Sequence, residues 1–365
     1  MSQSYKFIEP KAPPTSESSI IGWLRQNLFN TPFNTILTLV LAFILVQIIP
    51  ATINWAVVNA IWAADSKACR AGSGACWGFI NDKFRFMMFG TYTYDEQWRP
   101  FIAMLILLGA CVASTFQFFW KPLRIAAVWI ISSALVSVFM WGGVFGMTYV
   151  ENSLWGGVPL TLILSVYGVL FAFPLGVLLA LGRMSNLPAI KSVCVIFIEI
   201  IRGVPLITVL FMSSFLLPLF LPEGLTIDKL LRAQVGIILF TAAYLAEVFR
   251  GGLQAIPKGQ FEAADSLGLT YWQSMRMIIL PQALRLVIPP TVNSFISMFK
   301  DTSLVTIIGL MDLLGTVKGA IKDPEWQPFY AEGFIFAASL FFLFCYSMAR
   351  YSAYLEVELR KGEGH

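Results

Sequence analysis

One histidine serves the whole sequence, and it stands at the last position, His365. No imidazole-based metal centre can be built from it, nor the clustered His, Asp or Ser that a membrane-embedded enzyme would need. Charge is scarce: Asp, Glu, Lys and Arg together make up 13% of 365 residues, less than a soluble chain of this length requires. The net charge is only +4 with no basic cluster, so nucleic acid is not an expected partner. No G-x-x-x-x-G-K-S/T run occurs, which removes a P-loop and leaves any ATP to another chain. Cysteine is sparse too. Cys111, Cys194 and Cys345 fall in apolar segments and read as packed thiols. Cys69 and Cys76 flank Gly72 and Gly74 in a polar loop. They form a disulfide if that loop faces an oxidising compartment and stay free thiols otherwise.

What the chain has in excess is hydrocarbon. Hydrophobic residues are 57% of the total, and mean hydropathy is +0.73. A helix needs about 20 apolar residues to cross a bilayer, and about eight segments qualify. They are Phe33–Pro50, Phe101–Phe119, Ile125–Gly146, Val158–Leu181, Ser192–Leu219, Ala233–Phe249, Met277–Met298 and Gly333–Ala353. The expected fold is an all-α polytopic membrane protein. Residues 1–32 hold Pro10, Pro13, Pro14 and several serines but no signal-peptide core, so they read as a flexible tail. A long loop, about residues 51–100, separates the first two spans, and Trp55 and Trp62 at its start suit a membrane interface. Lysine and arginine lean weakly toward the side of the N-terminus, which puts both termini in the cytoplasm and the loop outside.

The most informative stretch runs from Glu247 to Asn293. Pro257 and Gly259 end one span. Gln260 to Leu267 is a short helical run, Gly268 suits a left-handed C-cap, and Thr270 with Gln273 makes a capping box for the next helix. Ala264 and Gly268 are four apart and share one side. A bare face on a short surface helix suggests a docking partner.

Glu262-Ala263-Ala264, Gly268, Ile278 and Leu280-Pro281 reproduce the spacing EAA-x3-G-x9-I-x-L-P. This resembles the signature loop of the permease subunits of bacterial binding-protein-dependent ABC importers, and no position departs from it. The resemblance implies a cytoplasmic coupling helix, at about 259–269, that docks on an ATPase through Glu262, Ala263, Ala264 and Gly268. Glu199-x-x-Arg202-Gly203-x-Pro205-Leu206 and Asn293-Ser294-Phe295 with Lys300-Asp301-Thr302-Ser303-Leu304 look like segments of polar amino-acid permeases. The resemblance covers roughly residues 155–355. It implies a five-helix type I importer core within 151–365, preceded by a three-helix extension, 33–150, like that of the longer subunits of general L-amino-acid uptake systems. It further implies a second, related permease, an ATPase dimer carrying ATP and Mg, a periplasmic amino-acid-binding protein, and no cofactor on this chain. The competing class is an ion-gradient-driven secondary transporter, which would show matching repeated halves.

Several charges fall inside apolar runs. Glu199 and Arg202 lie on one helix face and must pair with each other or with a neighbouring helix. They are either a substrate-facing gate or a clamp bracing the break at Gly203 and Pro205. Asn293 follows a second expected break at Pro289-Pro290, and Lys300, Asp301 and Ser303 follow at that helix's outer end. These residues offer both a cation and an anion to a zwitterionic amino acid, or else are an ordinary helix end.

Overall fold

The computed structural model describes residues 20–222, 224 and 226–361, with side chains as far as 357. Residues 1–19 of the expected tail, and His365, lie outside the described residues. The chain divides into two compact units at Gly78/Phe79, inside the long loop.

In the first unit, α1 (Ile20–Asn27) is helical within the segment expected to be a flexible tail, and the Asn27 amide closes it on the Trp23 carbonyl at 2.8 Å. Thr31 caps α2 (Pro32–Ile53) by accepting from the Asn34 N–H, with Pro32 at the first helical position, where its missing N–H costs nothing. No residue of α2 is buried within the chain, and a helix apolar all round belongs in lipid. A π turn (Asn54–Val58) leads to α3 (Ser66–Ala71). Cys69 and Cys76 are joined in a disulfide with Cα atoms 5.5 Å apart. Trp55 and Trp62 both pack on Trp77, with ring centroids 6.3 and 6.2 Å away.

The second unit takes in most of α4 (Trp77–Phe89), then α5 (Trp98–Thr115), α6 (Pro122–Trp141), α7 (Gly157–Arg183), α8 (Pro188–Arg202), α9 (Leu206–Phe211), α10 (Lys229–Gln254), α11 (Lys258–Ser266), α12 (Tyr271–Ser274), α13 (Leu280–Asp301), α14 (Leu313–Ile321) and α15 (Tyr330–Lys361). Among the described residues six helices are long and apolar enough to cross a membrane, seven if α8 and the segment from Leu206 to Phe220 count as one bent span. The expected count of eight is not reached because α13 is diluted by Gln282, Arg285, Pro289, Pro290 and Asn293.

The two expected helix breaks have opposite outcomes. At Gly203 and Pro205 the chain turns by 105° between α8 and α9. At Pro289 and Pro290 there is no break, and α13 runs through both prolines. Each proline forfeits one intrahelical bond, but α13 stays continuous where it packs against α7, α10 and α15.

The scaffold of the unit is the α7–α10 pair. Ala172 and Ala180 on α7 and Ala242 and Ala246 on α10 are fully buried, with Gly176 between the first two. Small residues four apart let helix backbones approach closely without a hydrophobic driving force. At the far end of α7, Gly157 has φ +66°, and a side chain there would collide with the Met88 carbonyl, so the end of α4 lies directly on the start of α7. The Thr316 hydroxyl on α14 donates to the Met87 carbonyl at 2.8 Å, and Lys83 pairs with Asp323 at 2.8 Å. The residues from α4 are therefore fastened to the loop and helix between α13 and α15.

Candidate functional site

Three features occupy the segment covered by the sequence motifs. The first is a cavity of about 380 Å³ between α9, α10 and α13, with an apolar wall of Leu206, Phe240 and Met298 and a set of polar side chains. Thr241 and Tyr244 line it from α10, and Asn293, Ser294, Ser297 and Asp301 from α13. Asn293, Ser297 and Asp301 are four apart in succession, so a continuous α13 puts them on one face; a break at the prolines would not be needed. Of the residues expected along a substrate path, the structure thus brings Asn293 and Asp301 together. Lys300 is exposed and does not line the cavity. Ser303 is half-buried, and its carbonyl accepts the Thr306 hydroxyl at 3.0 Å.

The second feature is a charge cluster where α7, α8 and α10 meet. Glu199 and Arg202 do not pair with each other. Arg183 Nη1 donates to Glu199 Oε1 at 2.8 Å and lies 2.8 Å from Glu247 Oε1. Arg202 Nη1 lies 3.5 Å from Glu247 Oε2, and Arg250 donates to the same oxygen from Nε and Nη2 at 3.1 and 2.9 Å. Glu247 is the hub, with its side chain 15% exposed, while Glu199 is 55% exposed. Sequence reading passed over Arg183, Glu247 and Arg250 as site residues. Glu247 and Arg250 at i, i+3 near a span's end were the available signal. Arg202 also stacks its guanidinium 5.5 Å from the Tyr244 ring, and its buried Nε has no hydrogen-bond partner. Since Tyr244 lines the cavity, cluster and cavity share a wall.

The third feature is α11, set between two sharp turns. Gly268 has φ +70°, and the Leu269 N–H closes on the Ala264 carbonyl at 3.2 Å. Thr270 and Gln273 form the capping box. Ala264 does not join Gly268 on an outward face: it is fully buried against its own chain, with Ile256 buried and Phe261 half-buried nearby in sequence. Its smallness lets α11 lie close to the body. Glu262, Ala263 and Gly268 are exposed, with Leu267 and Trp272 presenting 74% and 67% of their surface. Among the described residues no group of His, Cys, Asp and Glu is placed to hold a metal ion.

This arrangement has close counterparts. Residues 172–361 match the family described as binding-protein-dependent transport system inner membrane component. The chain is 49% identical to the inner membrane amino-acid ABC transporter permease protein YhdY of Escherichia coli, over 97% of this chain and 96% of that one. It is 37% identical to the glutamate/glutamine/aspartate/asparagine transport system permease protein BztC of Rhodobacter capsulatus, over 98% and 97%. A crystal structure of an amino acid ABC transporter with histidines covers 55% of this chain and 92% of that one at 32% identity and a TM-score of 0.50. Agreement over the full length of two permeases, together with the exposed helix α11 and its EAA spacing, rules out the gradient-driven alternative. The chain belongs to the inner-membrane components of binding-protein-dependent transport systems and is a multi-pass permease subunit of an ABC importer.

Proposed function

We propose that this subunit carries L-amino acids inward through the cavity between α9, α10 and α13. The observation that supports it is the lining: one carboxylate, Asp301, with the Asn293 amide and the hydroxyls of Thr241, Ser294, Ser297 and Tyr244. Asp301 would meet the substrate's ammonium group. Arg202, stacked on Tyr244 with Nε free, is the candidate for its carboxylate. The names of the two full-length relatives point to the same substrate class. In this reading both termini and α11 face the cytoplasm, the disulfide loop faces the periplasm, and a binding protein delivers substrate there. The α11 surface around Glu262, Ala263 and Gly268 docks on an ATPase dimer that holds ATP and Mg, while this chain binds neither. A second, related permease completes the pathway against the exposed face of α13.

The test is uptake and binding-protein-stimulated ATP hydrolysis, measured together in reconstituted vesicles. Asp301→Asn should cut uptake at least about tenfold while hydrolysis persists, since one lost charge-assisted contact is worth ~1.5–3 kcal/mol. Arg202→Lys should behave likewise, because it keeps the charge but loses the planar fork. Normal transport by both variants would move the substrate contacts to the partner permease.

A further inference from the structure

The N-terminal hairpin of α5 and α6 lies outside the site above and has chemistry of its own. Between the two helices is a cavity of about 520 Å³. Its floor is Gly109, Ala110 and Ala113 from α5 with Ala127 and Val128 from α6, and Phe118 and Phe119 close one end. Apart from Ser132, the one polar lining residue is Arg124. Its Nη1 donates to the Phe118 carbonyl at 2.9 Å, and its guanidinium lies 4.0 Å from that ring. Arg124 is therefore held at the mouth of an apolar groove.

The charge there is unbalanced. Lys121 is exposed immediately before α6, and that helix starts at Pro122 with no side-chain cap and no acid in its first turn. No Asp or Glu occurs anywhere from Gln97 to Val150. Two cations thus stand within the cap and first turn at the positive end of a 20-residue helix, and among the described residues neither cation has an ion-pair partner. An apolar slot ending in unpaired positive charge complements an acyl chain ending in a phosphate. A covering helix would fit the slot but not the charge: α2, for example, contains no acid.

We propose that this groove binds an anionic phospholipid, with an acyl chain along Gly109, Ala110 and Ala113 and the phosphate between Lys121, Arg124 and the first turn of α6. The orientation given under the proposed function puts this end in the cytoplasmic leaflet, where basic pockets between spans meet anionic headgroups. The binding itself does not depend on that orientation or on the transported substrate.

The experiment uses the full chain in detergent, with native mass spectrometry of adducts formed with phosphatidylglycerol or with phosphatidylcholine of the same acyl chains. The wild type should bind phosphatidylglycerol at least tenfold more tightly. Lys121→Gln with Arg124→Gln should bring that ratio close to one while leaving phosphatidylcholine binding unchanged. Ala113→Leu fills the slot and should weaken both lipids. If the double variant yields no folded protein, the same ratio is read for Arg124→Gln alone and should fall at least threefold. A preference that survives removal of the charges, or that is absent from the wild type, overturns the proposal. So does efficient crosslinking of an Ala113→Cys variant in membranes to α2 or to another subunit, because the groove would then be filled by protein.

Discussion

Replacing Glu247 with glutamine should destabilise the subunit more than any other single neutralisation in the α7–α8–α10 cluster. The wild-type cluster holds Arg183, Arg202 and Arg250 against Glu199 and Glu247, and all three cations lie within 2.8–3.5 Å of Glu247. At these separations one pair is worth ~5 kcal/mol of gross attraction at an effective dielectric of about 20. The arginine side chains are 20–33% exposed, so solvent screens much of this. Removing the hub leaves three guanidiniums facing one another, and breaking a buried pair from one side costs ~3–5 kcal/mol. Allowing for partial exposure, a loss of about 2–4 kcal/mol is expected, read as a fall of several degrees in the apparent Tm of the purified subunit followed by tryptophan fluorescence. Glu199→Gln is the internal control: its side chain is 55% exposed and touches Arg183 alone, so it should cost less than about 1 kcal/mol. The double change Glu247→Gln with Arg250→Gln should recover part of the loss, because it removes one of the stranded cations. Equal effects from Glu199→Gln and Glu247→Gln would refute the hub assignment, and so would an unchanged Tm for Glu247→Gln.

Gly268→Val should abolish uptake with less effect on yield: a β-branched side chain at φ +70° costs ~1–2 kcal/mol or more, yet meets nothing in this chain. Gly268→Asn, which tolerates the left-handed region, should retain most uptake, and equal uptake by both variants would argue against a turn-dependent contact. The proposed orientation predicts that an impermeant thiol reagent reaches Cys69 and Cys76 in whole cells only after reduction; labelling without reduction excludes the bond, and labelling only from the cytoplasmic side reverses the topology. Asp323 is held below the usual carboxylate value by the hydrogen bond from Lys83. Its contribution should thus be full above about pH 4 and fade as pH falls through its lowered value. Hydrogen exchange at α14 should rise below that pH in the wild type but show no such pH step in Asp323→Asn.

The local devices of this chain were legible in the sequence because each is written in neighbouring residues. The turn at Gly268 and the Thr270–Gln273 box both stand where spacing put them. So does the 105° bend at Gly203 and Pro205, where a residue that favours turns sits two positions before one that cannot continue a helix. The same local logic misled at Pro289 and Pro290. Two lost hydrogen bonds are a short-range fact, while the packing around the continuous α13 comes from α7, α10 and α15. Ala264 shows the limit in another way. Its distance from Gly268 along the helix was right, but which face turns inward is decided by the body beneath it.

Charge raises the same difficulty at longer range. An arginine in an apolar run proves that some partner exists, since an unpaired guanidinium in hydrocarbon costs several kcal/mol. It does not say which. The nearest candidate for Arg202 was Glu199, three residues away, but Glu199 lies with Arg183 and Arg202 lies with Glu247, on two other helices. Those pairings follow from the α7–α10 contact, and that contact follows from small residues repeated every four positions along both helices. The four-residue repeat was visible in the sequence, but nothing in either helix alone said that the two would face each other. Once they do, Arg183 and Glu247 are brought to the same end of the pair, and Arg202, at the end of α8 just before the bend, meets them there. Arg202 is thereby placed where its guanidinium touches both Glu247 and Tyr244. Arg202 thus ties α8 to α10 through Glu247 while lying beside Tyr244, a residue of the cavity wall.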